Sequence, residues 1–254
     1  EFEFEKKYEN VLKAVNDYQL KYPVAMDSNH ATWSVYQNRF WPSKYLIDID
    51  GYIRDKHVGE GGYADTENLI QSLLKERAER LNKKNEINLS ITKPKEAFDV
   101  NHYGIGTPEI YFGYQFSRGN FGNPEGIPPE KIIDYKFSPS IFINNAYFDG
   151  KWKNNKDNIE LTGDEGEVLL IFHAKALNIV AGSENGSQAL IFLDNEYLND
   201  KNKGSNIVIK EKQSMAEIRE FKLYNLASAE KYDDHSIDIK VTGKGFKLYT
   251  FTFG

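Results

Sequence analysis

The 254-residue sequence contains no cysteine. Disulfide bonds, thiolate catalysis and thiolate metal sites are therefore excluded for this chain as given. Its five histidines are scattered without H-E-x-x-H or a similar ligand spacing, and no serine nucleophile elbow is present. The sequence accordingly predicts neither a metal ion nor a cofactor.

Clustered positive charge is also missing. The 32 Lys and Arg residues stand against 38 Asp and Glu residues, for a net charge of −6. Proteins that bind nucleic acid usually carry a basic stripe. The basic run at 75–84 is better interpreted as a helix end, where cations lie near the negative pole of the helix dipole. Nucleic acid is therefore excluded as a partner.

Long hydrophobic runs are absent as well. The longest apolar stretch, Val168 to Val180, contains His173 and Lys175. It is too short and too polar for a bilayer, which needs roughly 20 apolar residues. Residues 1–9 are mostly charged and do not form a signal peptide.

The composition does supply large apolar side chains, with 40% hydrophobic and 14% aromatic residues. This is enough apolar area for two cores, and the length favours two domains. Residues 1–84 alternate between helical and extended patterns. The first predicted elements are a helix over Tyr8–Leu20, a strand over 22–27 and a helix over 30–38 that Ser28 or Asn29 would cap. Two strands over 44–50 and 52–58 follow, joined by an Asp50-Gly51 turn. A last helix runs from Asp65 or Thr66 to about Leu81.

Residues 85–106 are polar, contain Pro94, Gly104 and Gly106, and are predicted to be a linker. From residue 107 to 254 the pattern is all-β, which indicates a β-sandwich or jelly roll. The predicted strands cover 132–138, 140–144, 167–181, 188–198, 206–211, 220–227, 236–241 and 246–253, with turns at Asp149-Gly150, Gly163-Asp164 and Gly243.

Several sequence blocks resemble one family. The blocks EFEFEK (1–6), YPVAMDSNHATWSVYQNRFWPSKYLIDIDG (22–51) and HVGEGGY (57–63) resemble the thioredoxin-like domain of DipZ-type proteins. The blocks TPEIYFGY (107–114), NNAYFDGKW (144–152) and LYTFTFG (248–254) are similar to the carbohydrate-binding-module-like domain that follows it in that family. The resemblance implies an α/β thioredoxin-like domain of redoxin type, present as its C-terminal portion, followed by an all-β jelly-roll domain.

The same resemblance implies a context. In this family a membrane module for cytochrome c biogenesis commonly comes first, and the W-C-x-x-C helix precedes the block EFEFEK. We therefore expect an extracytoplasmic chain, periplasmic or on the cell surface and tethered to a membrane in the full-length protein. Its partner would be a protein thiol or disulfide, and its catalytic cysteines would lie outside this sequence. We expect no disulfide reductase activity from this chain alone.

The residues expected beside the redox site come from two loops. The resemblance implies that the Trp41-Pro42 bond is cis, that Trp41 and Pro42 border the site and that Arg39 holds their loop. The alternative is that Trp41 packs in a core and Pro42 lies in a trans turn. In a thioredoxin fold the loop Gly59–Gly62 lies beside the proline loop, where Glu60 would accept a proton from a thiol; a solvated helix-entry loop is the alternative.

In the β domain, aromatic rings are candidates for stacking on sugar C–H faces. They are Tyr111, Tyr114, Tyr147, Phe148 and Trp152, with core packing as the alternative for Trp152. Two further hypotheses therefore stand beside the oxidoreductase: a redox-inactive module that binds a glycan or a protein partner, and a purely structural role.

Overall fold

The computed structural model describes residues 2–83, 87–92 and 102–254. The chain divides into two units. Residues 2–21 and 102–254 form the β-rich unit, and the described residues between 22 and 92 form the inserted unit. The sequence groups residues 1–84 in one domain, whereas in the structure residues 2–21 belong to the β-rich unit. The predicted linker (85–106) is described only at 87–92 and 102–106.

The inserted unit contains two helices and one hairpin. Strands β1 (Ser43–Ile47) and β2 (Ile53–Val58) pair antiparallel, as the Asp50-Gly51 turn predicts. Helix α3 (Tyr63–Arg80) follows, and helix α2 (Ala31–Val35) precedes the hairpin. Residues 22–27, predicted as a strand, form none. An extended segment becomes a strand only when a neighbour satisfies its backbone groups, and the hairpin is the only sheet among the described residues of this unit.

The β-rich unit begins with helix α1 (Tyr8–Asp17), shorter than the predicted 8–20. After a 3₁₀ turn at His102–Gly104, residues 105–254 contain strands and loops only. The strands are β3 (Ile110–Tyr111), β4 (Ile132–Tyr135), β5 (Ala146–Asn154), β6 (Ile159–Ser183), β7 (Ser187–Leu193), β8 (Glu196–Tyr197), β9 (Val208–Lys210), β10 (Gln213–Ile218), β11 (Lys222–Thr242) and β12 (Phe246–Phe253).

These strands are hydrogen-bonded in the order β3-β12-β6-β11-β7-β10-β9, with β5 on β6, β4 on β5 and β8 on β7. The C-terminal strand β12 therefore has a neighbour on each side, as its bulk on both faces predicts. Side chains on β6 alternate between buried and half-buried from Val168 to Ala174 and again from Leu177 to Val180, with an exposed Lys175 between the two runs. This is the pattern of strands with one face in a core. The core contains Trp152, Phe148, Phe172 and Phe246, each at most 1% exposed.

Strand β5 differs from the sequence prediction. Asp149-Gly150 was expected to be a turn, yet both residues lie inside β5. Gly150 has a φ of +98° and lies at a register shift between β5 and β6, so it marks a bulge, where glycine accepts a positive φ. Residues 140–144, predicted as a strand, form none.

Candidate functional site

The proline loop (residues 39–42) lies directly before strand β1. The Trp41-Pro42 peptide bond is cis, which confirms the prediction. The Ser43 hydroxyl donates to the Phe40 carbonyl oxygen at 2.8 Å and closes the loop. Arg39, expected to hold this loop, is exposed. The Asn38 side-chain amide also donates to the Phe40 carbonyl oxygen, at 3.1 Å, so the loop conformation rests on backbone groups and on the side chains of Ser43 and Asn38.

Trp41 is not packed in a core. It is 63% exposed, and Phe40 beside it is 58% exposed. The ring of Trp41 contacts that of Trp33, with centroids 4.7 Å apart. Aromatic pairs of this kind favour tilted or offset contacts at 4.5–7 Å. An exposed indole, held on one side by Trp33, thus borders Pro42.

The position of Trp33 depends on Asp27. The Asp27 carboxylate accepts the backbone N–H groups of Thr32 and Trp33 at 2.9 and 2.8 Å, and these bonds lower its pKa. A carboxylate at the first turn satisfies the free N–H groups of a helix. From the sequence, Ser28 or Asn29 was predicted to cap this helix, and the capping role of Asp27 was not predicted. Asn29 accepts the Ala31 N–H at 3.2 Å, while its neighbour His30 has a positive φ of 59°.

The glycine loop (residues 59–62) lies beside the proline loop. The Gly59 N–H donates to the Pro42 carbonyl oxygen at 2.8 Å. Gly62, directly before α3, has a φ of +61°, and a Cβ there would lie 2.6 Å from Cε1 of His57. Both the positive φ and the close imidazole therefore require glycine at 62. The backbone at these two loops is tightly specified.

Three side chains, Lys44, Glu60 and Tyr63, make contacts at the glycine loop. Nζ of Lys44 donates to the Gly61 carbonyl oxygen at 3.0 Å and lies 4.7 Å from the centre of the Tyr63 ring. The Tyr63 hydroxyl donates to Glu60 at 2.6 Å, which raises the pKa of Tyr63. The Glu60 carboxylate therefore accepts a hydrogen bond from a tyrosine hydroxyl in this structure. Lys44 follows the proline loop in the predicted cluster of residues 39–44, whereas Tyr63 was not predicted, although it ends the block HVGEGGY.

The inserted unit has almost no interior. Among its described residues only Gln71 and Ala78 are buried, both on α3. Large apolar side chains elsewhere in the unit are 38–80% exposed: Tyr22, Val24, Met26, Val35, Phe40, Trp41, Ile47, Ile49, Tyr52, Ile53, Val58, Tyr63, Ile70, Leu74, Leu81 and Leu89. An apolar surface of this extent is typical of an interaction face.

The candidate sugar-binding rings lie mostly inside the β-rich unit. Tyr147, Phe148 and Trp152 are 2%, 0% and 0% exposed. The expectation that they form a stacking platform is wrong, because their faces pack against other core residues. Trp152 lies 5.1 Å from Phe148 and 6.2 Å from Phe246, ring centre to ring centre. The alternative of core packing holds for Trp152.

The other two candidate rings are half-buried. Tyr111 donates to Glu109 at 2.6 Å, and the guanidinium of Arg118 lies 4.7 Å from its ring centre. Burial is the main cause that raises the pKa of Tyr111, and it also raises the pKa of Tyr114. Neither ring presents an open face like that of Trp41.

Within the described residues, no group of three His, Asp or Glu side chains is arranged to hold a metal ion. No helix in that part of the chain is both long and apolar enough to cross a bilayer. Because the sequence has no cysteine, the two loops cannot exchange electrons with a substrate through a thiol.

Residues 107–254 match the family model described as "Thioredoxin like C-terminal domain". Protein DipZ of Mycobacterium bovis and that of Mycobacterium tuberculosis are each 34% identical to this chain over 182 residues. The match covers 72% of this chain and 25% of each relative, so the chain spans about a quarter of the curated relatives it matches. The resemblance to DipZ-type proteins is confirmed.

Among solved structures, the insecticidal crystal protein Cry2Aa is similar at 16% identity with a TM-score of 0.23. The similarity covers 39% of this chain and 16% of the other. A likeness at this level supports no conclusion about fold or function.

Proposed function

Because this chain belongs to the family of thioredoxin like C-terminal domains and is similar to Protein DipZ, we propose that it is part of an extracytoplasmic thiol–disulfide oxidoreductase. The observation that carries the proposal is the junction of the two loops in the inserted unit. There the Gly59 N–H bonds to the Pro42 carbonyl oxygen at 2.8 Å, beside an indole that is 63% exposed.

The proposed chemistry is thiol–disulfide exchange. A thiolate attacks one sulfur of a substrate disulfide, the S–S bond breaks, and the second substrate sulfur leaves as a thiolate. This chain has no thiol, so the nucleophile belongs to residues outside it. The proline loop would hold the extended substrate chain, and Trp41 would pack against it.

We further propose a fold for each unit. Residues 22–83 would be the C-terminal portion of a thioredoxin-like α/β domain, for which the antiparallel hairpin followed by α3 is the support. The nearly coreless state of this unit also supports a partial domain. Residues 107–254 would be a jelly-roll sandwich, supported by antiparallel strand pairing around one continuous core. A membrane module elsewhere in the full-length protein remains part of the proposal.

The alternative is a redox-inactive module for a protein or glycan partner, and the absence of cysteine favours it. Its glycan form is left with Tyr111 and Tyr114, since the other three predicted rings are buried. An array of glycans screened with this chain tests that form. A blank array would contradict it, and hits that persist in Tyr111→Ala and Tyr114→Ala variants would contradict the role of these two rings.

The main proposal is tested on the natural open reading frame, extended upstream of Glu1. A W-C-x-x-C segment there, with insulin reduction by the extended protein, is the expected result. Trp41→Ala in that protein should lower kcat/KM about tenfold, or about 1.4 kcal/mol of transition-state stabilisation. The matched control is Phe142→Ala, which removes a ring that is 65% exposed in the β-rich unit.

An upstream segment without cysteines would contradict the oxidoreductase and favour the binding module. Equal losses in the Trp41 and Phe142 variants would contradict the role given to the proline loop. The 254-residue chain by itself should give no reduction above the buffer blank, because it has no thiol.

A further inference from the structure

The segment Phe2–Phe4 lies in a site built by the β-rich unit. Phe2 is only 8% exposed. The contacts here involve both side chains and backbone, which makes the site specific enough to argue from its parts.

Four rings from separate parts of the β-rich unit surround the two phenylalanines. We call Tyr111, Phe116, Phe221 and Tyr249 the aromatic cradle. The Phe2 ring centre lies 6.2 Å from that of Tyr111, 5.7 Å from that of Phe116 and 5.0 Å from that of Tyr249. The Phe4 ring centre lies 5.6 Å from that of Phe221 and 5.0 Å from that of Tyr249.

The backbone between the two rings donates a hydrogen bond to a buried carboxylate. Asp157 is 3% exposed, and its Oδ2 accepts the Glu3 N–H at 2.6 Å. Its Oδ1 accepts the side-chain amide of Asn158 at 2.8 Å. A buried carboxylate without such donors is costly. Docking of the segment therefore satisfies one of its two oxygens.

Opposite charges also meet at Glu3, the residue between the two rings. The Glu3 carboxylate lies 3.3 Å from Nζ of Lys156 and 2.8 Å from Nζ of Lys6, and these lysines lower its pKa. Further along, Lys13 of α1 lies 3.0 Å from Glu220. The cradle is thus matched to the pattern aromatic, acidic, aromatic.

Two glycines make room for the cradle. A Cβ on Gly182 would lie 2.3 Å from the Phe221 ring, and a Cβ on Gly113 would lie 2.5 Å from the backbone of Asp157. Gly113 also has a φ of +86°. Neither position accepts a side chain without displacing a group that contacts the segment.

We propose that the aromatic cradle with Asp157 is a peptide-docking site that recognises Phe-Glu-Phe, and that it holds the chain's own residues 2–4 as a strap. This inference does not depend on the proposed redox function. The inserted unit (22–100) is flanked in sequence by residues of the β-rich unit on both sides. The docked strap therefore anchors the chain before the inserted unit as well as after it.

The test uses the full chain and a fluorescent peptide of residues 2–7, FEFEKK. The double variant Phe2→Ala, Phe4→Ala should leave the cradle empty and bind the peptide, as measured by anisotropy. The wild-type chain should bind it at least tenfold more weakly, because its site is occupied. The peptide AEAEKK is the control ligand, and Tyr8→Ala with Tyr18→Ala, which removes two exposed rings of residues 2–21, is the control variant.

A second measurement does not need the double variant to fold. Hydrogen exchange of the Glu3 amide should be slowed in the wild-type chain and at least tenfold faster in Asp157→Asn. A folded double variant that does not bind FEFEKK, or a wild-type Glu3 amide that exchanges like that of a free peptide, would overturn the proposal. So would a wild-type dimer that exchanges this segment between copies.

Discussion

The two units of this chain use their apolar residues in opposite ways. In the β-rich unit, strands from β3 to β12 enclose one continuous core that contains Trp152, Phe148 and Phe246. In the inserted unit, an 18-residue helix buries only Gln71 and Ala78, and aromatic side chains such as Trp41 are exposed. Both units have ordered strands and helices, but only one of them has an interior.

This difference shows which interactions contribute to the free energy of unfolding of each unit. Burial of apolar surface contributes about 25 cal/mol per Å², and conformational entropy opposes it throughout. Surface ion pairs of the inserted unit, such as Arg54 with Glu76 and Arg80 with Asp50, contribute little by comparison. A two-stranded hairpin is at best marginally stable by itself. We therefore expect the inserted unit to be stable only when further residues cover its apolar side chains.

Deletion of residues 249–254 should cause the largest difference in stability between the two units. Strand β12 lies between β3 and β6, and the deletion removes the buried rings of Tyr249 and Phe251. Each large buried ring is worth about 3–5 kcal/mol, against a total domain stability of about 5–15 kcal/mol. The unfolding transition of the β-rich unit, followed by circular dichroism, should disappear. An unchanged transition would show that β12 is dispensable.

A matched pair of tryptophans gives the next largest effect. Trp152→Ala, at 0% exposure, should lower the free energy of unfolding by about 3–5 kcal/mol because it leaves a core cavity. Trp41→Ala, at 63% exposure, should change it by less than about 0.5 kcal/mol. Urea titration of both variants measures the difference. Equal losses would mean that the inserted unit does have a core.

A smaller effect is expected from a carboxyl group on the β-rich unit. Burial, and then the neighbouring Glu167, raise the pKa of Asp238 to about 7. Nζ of Lys240 lies 3.7 Å from Asp238 and 3.5 Å from Glu167, and Glu167 is paired across the strands with Asp149. A folded-state pKa above the usual value stabilises the fold at low pH, and this contribution is lost as the pH rises through about 7.

Asp238→Asn should therefore remove part of the fall in melting temperature between about pH 4 and about pH 8, since the amide does not ionise. Asp200→Asn is the control, because the Asp200 side chain is 85% exposed and pairs with Lys203 at 3.1 Å. Thermal unfolding over this pH range measures the slope. A variant with the wild-type slope would assign the pH dependence to other groups.

Much of the inserted unit could be predicted from local signals. The Asp50-Gly51 turn, the hairpin and α3 follow from patterns within a few residues, and the cis Trp41-Pro42 bond followed from the family resemblance. The strand at 22–27 could not form, because pairing depends on a neighbour that local sequence does not specify. The Asp27 cap was missed because the carboxylate acts from four residues before α2.

The β-rich unit was harder to predict at its surface than in its interior. The pattern of β12 correctly indicated a central strand, yet Tyr147 and Phe148 were assigned to the surface although both are buried. Alternation along a strand does not say which face is covered by loops. The docking of Phe2 and Phe4 was missed because the cradle brings together rings from three distant places in the sequence: Tyr111 with Phe116, Phe221 and Tyr249.

Native-state hydrogen exchange tests most directly whether the inserted unit lacks a core of its own. Amides of β6 and β11 should exchange only when the whole β-rich unit unfolds, whereas amides of α3 and the β1–β2 hairpin should exchange through local opening that costs far less free energy. Increasing urea concentration should leave the free energy of this local opening nearly unchanged. Protection of α3 equal to that of β6, with the same urea dependence, would contradict the account.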